Sequence, residues 1–133
     1  MSASGTLTLS KEERICSKKL MDRLFGGGNS RALTMFPLRA IYMEAEREDG
    51  EPPVQILVSV PKRCFKRAVK RNRVKRQVRE AYRHQKSLLT EAMEGRSGKK
   101  MVIAFIWMDA CLHSSEAVGR RVGNLLMHIR EQL

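Results

Sequence analysis

Ala68-Val69-Lys70-Arg71-Asn72-Arg73-Val74-Lys75-Arg76-Gln77-Val78-Arg79-Glu80-Ala81-Tyr82-Arg83 is the stretch on which the fold turns. At about 100° per residue, Val74, Val78, Ala81, Tyr82 and the later Leu89 gather on one side of a helix. The pattern predicts that helix from about Phe65 to Leu89. Asn72, Lys75, Arg76, Arg79, Arg83 and Lys86 fall nearly opposite and form a ridge of cations with one amide. From Asn72 to Arg83 the ridge rises about 16 Å at 1.5 Å per residue, enough to bridge several phosphates. The apolar side needs a sheet or core to lie on, and the cationic side needs a polyanion.

Charge is concentrated here and nowhere else. Between Lys62 and Lys86 stand twelve Lys or Arg and one acid, Glu80, which is almost all of the chain's formal charge of +12. The other residues carry fourteen basic and thirteen acidic side chains. A charge run is ordinarily a solvated face. This one opposes an apolar face and lacks the acids that would pair with it at i, i+4. Asn72, a poor residue for a helix interior, points to an amide that is used. Nucleic acid is the polyanion these features fit, with binding that weakens steeply in salt.

A length of 133 residues with 42% hydrophobic side chains suits one globular domain with its own core. Residues 1–9 are small and polar and are expected to be disordered, leaving 10–133 as the domain. The longest apolar run, Met101 to Met108, is far short of the roughly 20 residues of a membrane span. The N-terminus lacks the basic-then-apolar order of a signal peptide, so a cytoplasmic location is expected. Cys16, Cys64 and Cys111 are odd in number and widely spaced, as reduced thiols would be, and neither they nor the three histidines have zinc spacing.

Outward from the basic helix, Val54-Gln55-Ile56-Leu57-Val58-Ser59-Val60 alternates and puts Val54, Ile56, Val58 and Val60 toward a core before Pro61 stops it. Phe36 to Glu44 also reads as a strand, with Phe36, Leu38, Ala40 and Tyr42 on one face. Glu46 to Pro53, containing Asp49-Gly50, is expected to join these two strands as a hairpin. Upstream, Ser17 is the preferred start of a short helix with the stripe Leu20, Met21, Leu24 and Phe25, although Ser10-Lys11-Glu12-Glu13 also has capping-box spacing. The glycines at 26–28 end that helix. Downstream, Met101-Val102-Ile103-Ala104-Phe105-Ile106-Trp107 is apolar throughout, as a strand buried on both faces would be. Ser114 or Ser115 then caps a helix with Val118, Val122, Leu125, Leu126 and Ile129 along one side.

The order α-β-β-α-β-α, compatible with an extra strand near residues 30–34, predicts an α+β domain. A single sheet of about four strands would carry three helices in a two-layer α/β sandwich. A helix-turn-helix is excluded because a strand and Pro61 precede the basic helix, and no heptads continue it into a zipper. RNA shape and backbone are the more natural target.

Lys66-Arg67-Ala68-Val69-Lys70-Arg71-Asn72-Arg73 and the residues following to Arg83 resemble the Arg-Asn-Arg signature of the bacterial ribonuclease P protein subunit. The order of elements agrees with that family from about residue 9 to residue 130. Leu24-Phe25 before glycine resembles the end of the family's first helix, and Val58-Ser59-Val60-Pro61-Lys62-Arg63 its approach to the signature. The resemblance implies a ribosomal-protein-like domain with a left-handed βαβ crossover and a role in removing the 5′ leader of precursor tRNA. It implies as partners the ribonuclease P RNA, which performs the hydrolysis with Mg2+ held mainly by RNA and substrate, and the precursor tRNA. The free protein is expected to be monomeric.

By the same resemblance, Arg63, Arg67, Arg71, Asn72, Arg73, Lys75, Arg76, Arg79 and Arg83 should face the RNA subunit. Arg71 lies nearer the core side on the wheel and is open to a bracing role. Met21, Phe25, Phe36, Arg39 and Tyr42 are the candidates for a leader-binding cleft, against plain core packing for the aromatics. The chain departs from the family pattern in three places. Met21 stands where phenylalanine is frequent, Cys64-Phe65 replaces a glycine-containing approach, and Trp107-Met108 lacks a frequent arginine. No residues form a catalytic or metal-binding constellation: the acids concentrate in the 44–51 turn, and Asp109 reads as a loop cap. The competing reading is a ribosomal or general structured-RNA-binding protein with no part in tRNA processing.

Overall fold

The computed structural model describes residues 13–15, 17–26, 28–96 and 98–133. The first nine residues, the capping-box alternative at Ser10 and Cys16 lie outside them. Helix α1 (Lys18–Gly26) follows Ser17, whose Oγ accepts from Leu20 N–H at 3.2 Å, so Ser17 is the cap. Strands β1 (Arg31–Met35), β2 (Leu38–Glu46) and β3 (Val54–Ser59) come next. They are followed by α2 (Ala68–Gln85), α3 (Ser87–Glu94), β4 (Lys99–Trp107) and α4 (Ser115–Glu131). The additional strand compatible with residues 30–34 is β1.

The sheet order is β1-β2-β4-β3. β1 pairs antiparallel with β2, β2 antiparallel with β4, and β4 parallel with β3. Alternate residues of β4 serve opposite faces. Met101, Ile103, Phe105 and Trp107 join the core under α2, α3 and α4, whereas Val102 and Ala104 join a smaller cluster under α1. A strand apolar on both sides gains most in the middle, and that placement overturns the expected hairpin between β2 and β3. β4 stands between them, and the hairpin is formed instead by β1 and β2 across the turn at Phe36-Pro37, a cis peptide. Residues 47–53 arch over the start of β4. Arg47 N–H donates to Gly98 C=O and Met101 N–H to Pro53 C=O, both at 2.9 Å.

The basic helix is two helices, making four among the described residues. Lys86 keeps helical backbone angles (φ −62°, ψ −24°), and a three-residue bond from Leu89 N–H to Lys86 C=O marks the joint. No glycine or proline is involved, so no local signal marks it. The apolar phase carries through: Val74, Val78, Tyr82, Leu89 and Met93 are all buried on the sheet. At the N-terminal end, residues 65–67 are not helical; Arg67 is the extended N-cap residue. Ser114 caps α4 by accepting from Ala117 N–H at 3.1 Å. α4 crosses α2 where Gly119 C=O accepts from Gln85 Nε2 at 2.9 Å.

Candidate nucleic-acid interface

Two surfaces of different character result, one on each side of the sheet. The first is the outward side of α2. Val74, Val78 and Tyr82 hold this helix on the core, so the wheel phase fixes what points away. Asn72, Arg73 and Arg76 are exposed, and Lys75, Arg79 and Arg83 are half-buried beside them. Arg63 and Arg67 stand exposed on the approach, whose turn is closed by Cys64 N–H donating to Pro61 C=O and anchored by buried Phe65. Val69, 78% exposed, puts an apolar side chain in the first turn of this surface.

Three of the cations expected on the ridge or facing RNA have partners within the protein. Arg71 Nη1 donates to Phe65 C=O at 2.7 Å and Lys66 C=O at 2.8 Å, so it braces the turn that leads into α2. Arg83 is held by Glu80, which also meets His84 at 3.1 Å. The hydrogen bond from Arg83 keeps the Glu80 carboxyl below the usual carboxylate range, and Glu80 in turn raises Arg83. Lys86 leaves the ridge altogether. Its Nζ lies in the interior against Glu13, because the segment at 13–15 is pinned to the edge of β3, Ile15 N–H donating to Ile56 C=O at 2.9 Å.

A groove between α2 and the start of α4 continues the surface. Gln77 Nε2 donates to His113 C=O and Ser115 Oγ, both at 3.1 Å. A cavity of about 400 Å³ opens there, lined by Arg73, Arg76, Gln77, Glu80 and Ser115. Nearby, His113 Nε2 lies 2.7 Å from Asp109, and the imidazole packs edge-on against Trp107. The hydrogen bond from His113 lowers the Asp109 pKa, so this acid is a loop partner to a histidine.

The second surface is the sheet face that α1 covers only in part. Leu24 is fully buried on Met43, Ala45, Val102 and Ala104, with Leu20, Met21, Ile41 and Leu57 packed around them. Beyond α1, the registers Thr34↔Arg39↔Ile106↔Ser59 and Ala32↔Ile41↔Ala104↔Leu57 lay two rows across all four strands. Arg39 is exposed, Ile41, Leu57 and Ile106 are partly so, and Ala104 leaves the floor low between them. Phe25 on α1 is 48% exposed, and Phe36, in the turn at the sheet's end, is 55% exposed. Met108 N–H bonds Pro37 C=O at 2.8 Å, which places exposed Met108 at that same end.

The structure thus brings Met21 and Arg39 to one sheet face, with Phe25 projecting from the helix that covers it. It does not bring Tyr42 there. Tyr42 alternates to the opposite face, is buried in the main core, and donates its hydroxyl to Gln132 Oε1. Period-two alternation carries this signal, since Arg39 and Tyr42 differ in parity. Ile41, Leu57 and Ile106 were missed as floor residues because a half-exposed aliphatic in a strand looks like core from sequence, and Ala104 between them is buried outright. The Phe36 side chain also leaves the Leu38, Ala40 and Tyr42 set, because β2 begins only at Leu38.

A mixed four-stranded sheet, cationic on the helix above one face and open on the other, defines a small basic α+β domain of nucleic-acid-binding type. The family model for ribonuclease P matches residues 9–116. The ribonuclease P protein component of Porphyromonas gingivalis is 39% identical over 129 residues, covering 97% of this chain and 91% of its own length. That of Chlorobaculum tepidum is 37% identical over 112 residues, covering 80% and 71%. The chain belongs to the ribonuclease P protein component family. The solved structure of the ribonuclease P protein from Thermotoga maritima shares the fold, with a TM-score of 0.64 at 20% identity over 87% of this chain and 96% of that one.

Proposed function

We propose that this chain docks on the catalytic RNA of ribonuclease P through the outward side of α2 and holds the 5′ leader of precursor tRNA across the open sheet face. The observation that carries this reading is the pair of surfaces itself. A cationic ridge fits the backbone of a folded RNA, whereas a shallow, partly apolar floor with an arginine and flanking aromatics fits unstacked bases of a single strand. Arg63, Arg67, Asn72, Arg73, Lys75, Arg76 and Arg79 are the docking side chains, with Arg71 shaping their approach. Phe25, Phe36, Arg39 and Met21 bound the leader path. The family match disfavours a ribosomal or general RNA-binding role.

In this reading hydrolysis would belong to the RNA subunit, with magnesium held mainly by that RNA and the substrate rather than by side chains of this chain. The donor set on the protein supports that division. Several of its acids are held by bases: Glu44 by Arg96, Glu46 by Lys99, Glu51 by Lys100, Glu80 by Arg83 and Asp109 by His113. Among the described residues no three His, Cys, Asp or Glu side chains are grouped to hold an ion. No helix among the described residues is long and apolar enough to cross a membrane. The reading takes the chain as a cytoplasmic, monomeric subunit with a single domain from residue 10 onward. The test is reconstitution of the protein with its ribonuclease P RNA and a precursor tRNA at low magnesium. Leader removal should accelerate over RNA alone. Equal rates would overturn the proposal.

A further inference from the structure

Arg14 and Arg79 are like charges that the fold brings to one side of the sheet, and neither is paired with an acid among the described residues. The segment holding Arg14 runs parallel to β3 through the Arg14–Ile56 bridge. α2 leads back from β3 to the parallel strand β4, so it runs against that direction. Moving from Glu13 to Arg14 therefore moves from Lys86, where Glu13 is bonded, toward the N-terminal half of α2, where Arg79 stands two turns earlier. Burial first, and then the Arg14 guanidinium, pushes the Arg79 pKa below the usual arginine value. Glu13, the adjacent acid, is engaged with Lys86, and no carboxylate among the described residues forms an ion pair with Arg14 or Arg79.

Arg14 pairs with Ile56, whose side chain belongs to the core beneath α2, so the two arginines share that side of the sheet. Two like charges there, unpaired with an acid among the described residues, disfavour the free protein, and a shared anion reverses the sign of that interaction. We propose that Arg14 and Arg79 form a two-arginine clamp for one backbone phosphate of the ribonuclease P RNA. The proposal rests on the docking role assigned above to α2 and extends the docking surface onto the segment at 13–15. Arginine suits the task because its planar fork donates two parallel hydrogen bonds to phosphate oxygens. Binding there also ties the chain before α1 to the ridge, so the RNA contact and the segment beside the open sheet face become one unit.

The experiment measures affinity of the full chain for its labelled ribonuclease P RNA across a potassium chloride series, for wild type, Arg14→Ala, Arg79→Ala, the double variant and Arg76→Ala. One phosphate contact corresponds to about one unit of the log–log salt slope. Arg14→Ala should weaken binding by about three- to tenfold and flatten the slope by about one unit. The double variant should lose much less than the product of the two single losses, because the clamp acts as a unit. The free Arg14→Ala protein should melt at or above the wild-type temperature, since a repulsion has been removed. Wild-type affinity for Arg14→Ala with weakened Arg76→Ala overturns the clamp and leaves the docking role intact. Wild-type affinity for all variants overturns both. A lower melting temperature for free Arg14→Ala shows a structural role and overturns the clamp.

Discussion

Lys86 Nζ lies 3.0 and 2.9 Å from the two carboxylate oxygens of Glu13, and the two side chains are only 9% and 10% exposed. This pair joins residues 73 apart and sits at the joint between α2 and α3. Removing one partner leaves the other charge buried. Lys86→Met should therefore cost about 3–5 kcal/mol of stability in a denaturant melt, and the double variant with Glu13→Leu should recover most of it. A single variant as stable as wild type would show that the pair is solvated.

Glu80 is the one acid of the basic block, and it occupies Arg83. A phosphate must compete with it for that guanidinium. Glu80→Gln should tighten RNA binding and steepen the salt slope by up to about one unit as the carboxylate's hold on Arg83 is removed. Arg83→Ala alone should then lose little. If Glu80→Gln leaves both affinity and slope unchanged, Arg83 does not reach RNA.

Gly119 and Gly123 both lie within α4, but an added methyl meets different surroundings at each. Nothing lies within 4 Å of the Gly119 site, whereas at Gly123 it would stand 2.3 Å from Gln85 Oε1. Gly119→Ala should stabilise the protein by about 0.5–1 kcal/mol, the ordinary helix-interior gain. Gly123→Ala must first displace the Gln85 amide and its bond to Gly119 C=O, so the same gain should be cancelled. Equal stabilisation by both would show that α2 and α4 are less closely packed than the Gln85 contact indicates.

Acid lability follows from the same pairing of acids with bases. His113 holds Asp109 below the ordinary aspartate value of 3.8. A depressed carboxylate contributes stability above its unfolded value and loses it as pH falls through the folded one. The difference in melting temperature between wild type and Asp109→Asn should be present at about pH 5 and should close below pH 3.8. A difference that grows on acidification would reverse the sign of this contact.

Periodicity carried most of the architecture. The Val54–Val60 alternation, the all-apolar β4 and the α4 stripe each dictate burial by local pattern alone, and each is found as read, save that Ile106 of β4 stays partly exposed. Strand order was not local: nothing in Glu46 to Pro53 says that β4 will insert between β2 and β3, because that choice depends on which strand gains most from two covered faces. The ridge was legible as a face but not as a set of free charges. Glu80 is near enough in sequence to be suspected of claiming Arg83, whereas Glu13 claims Lys86 from 73 residues away. Arg14 was illegible for the same reason, since a lone arginine outside the basic block gains meaning only beside Arg79.

Arg39 and Tyr42 both stand on β2, three residues apart, and so project from opposite faces of the sheet. Only one of them can meet a strand lying across the open face. Arg39→Ala should weaken binding of a leader-bearing precursor tRNA to the reconstituted complex by about tenfold, the usual worth of a charged contact. It should leave mature tRNA binding unchanged. Tyr42→Phe removes the bond to Gln132 at the end of α4 and should cost about 1 kcal/mol of stability with no leader-specific effect. Phe25→Ala and Phe36→Ala should follow Arg39, because both rings are already exposed and their loss costs little in packing. A leader-specific loss for Tyr42→Phe equal to that of Arg39→Ala would place the leader on the α4 side of the sheet, and the assignment of the two faces would have to be exchanged.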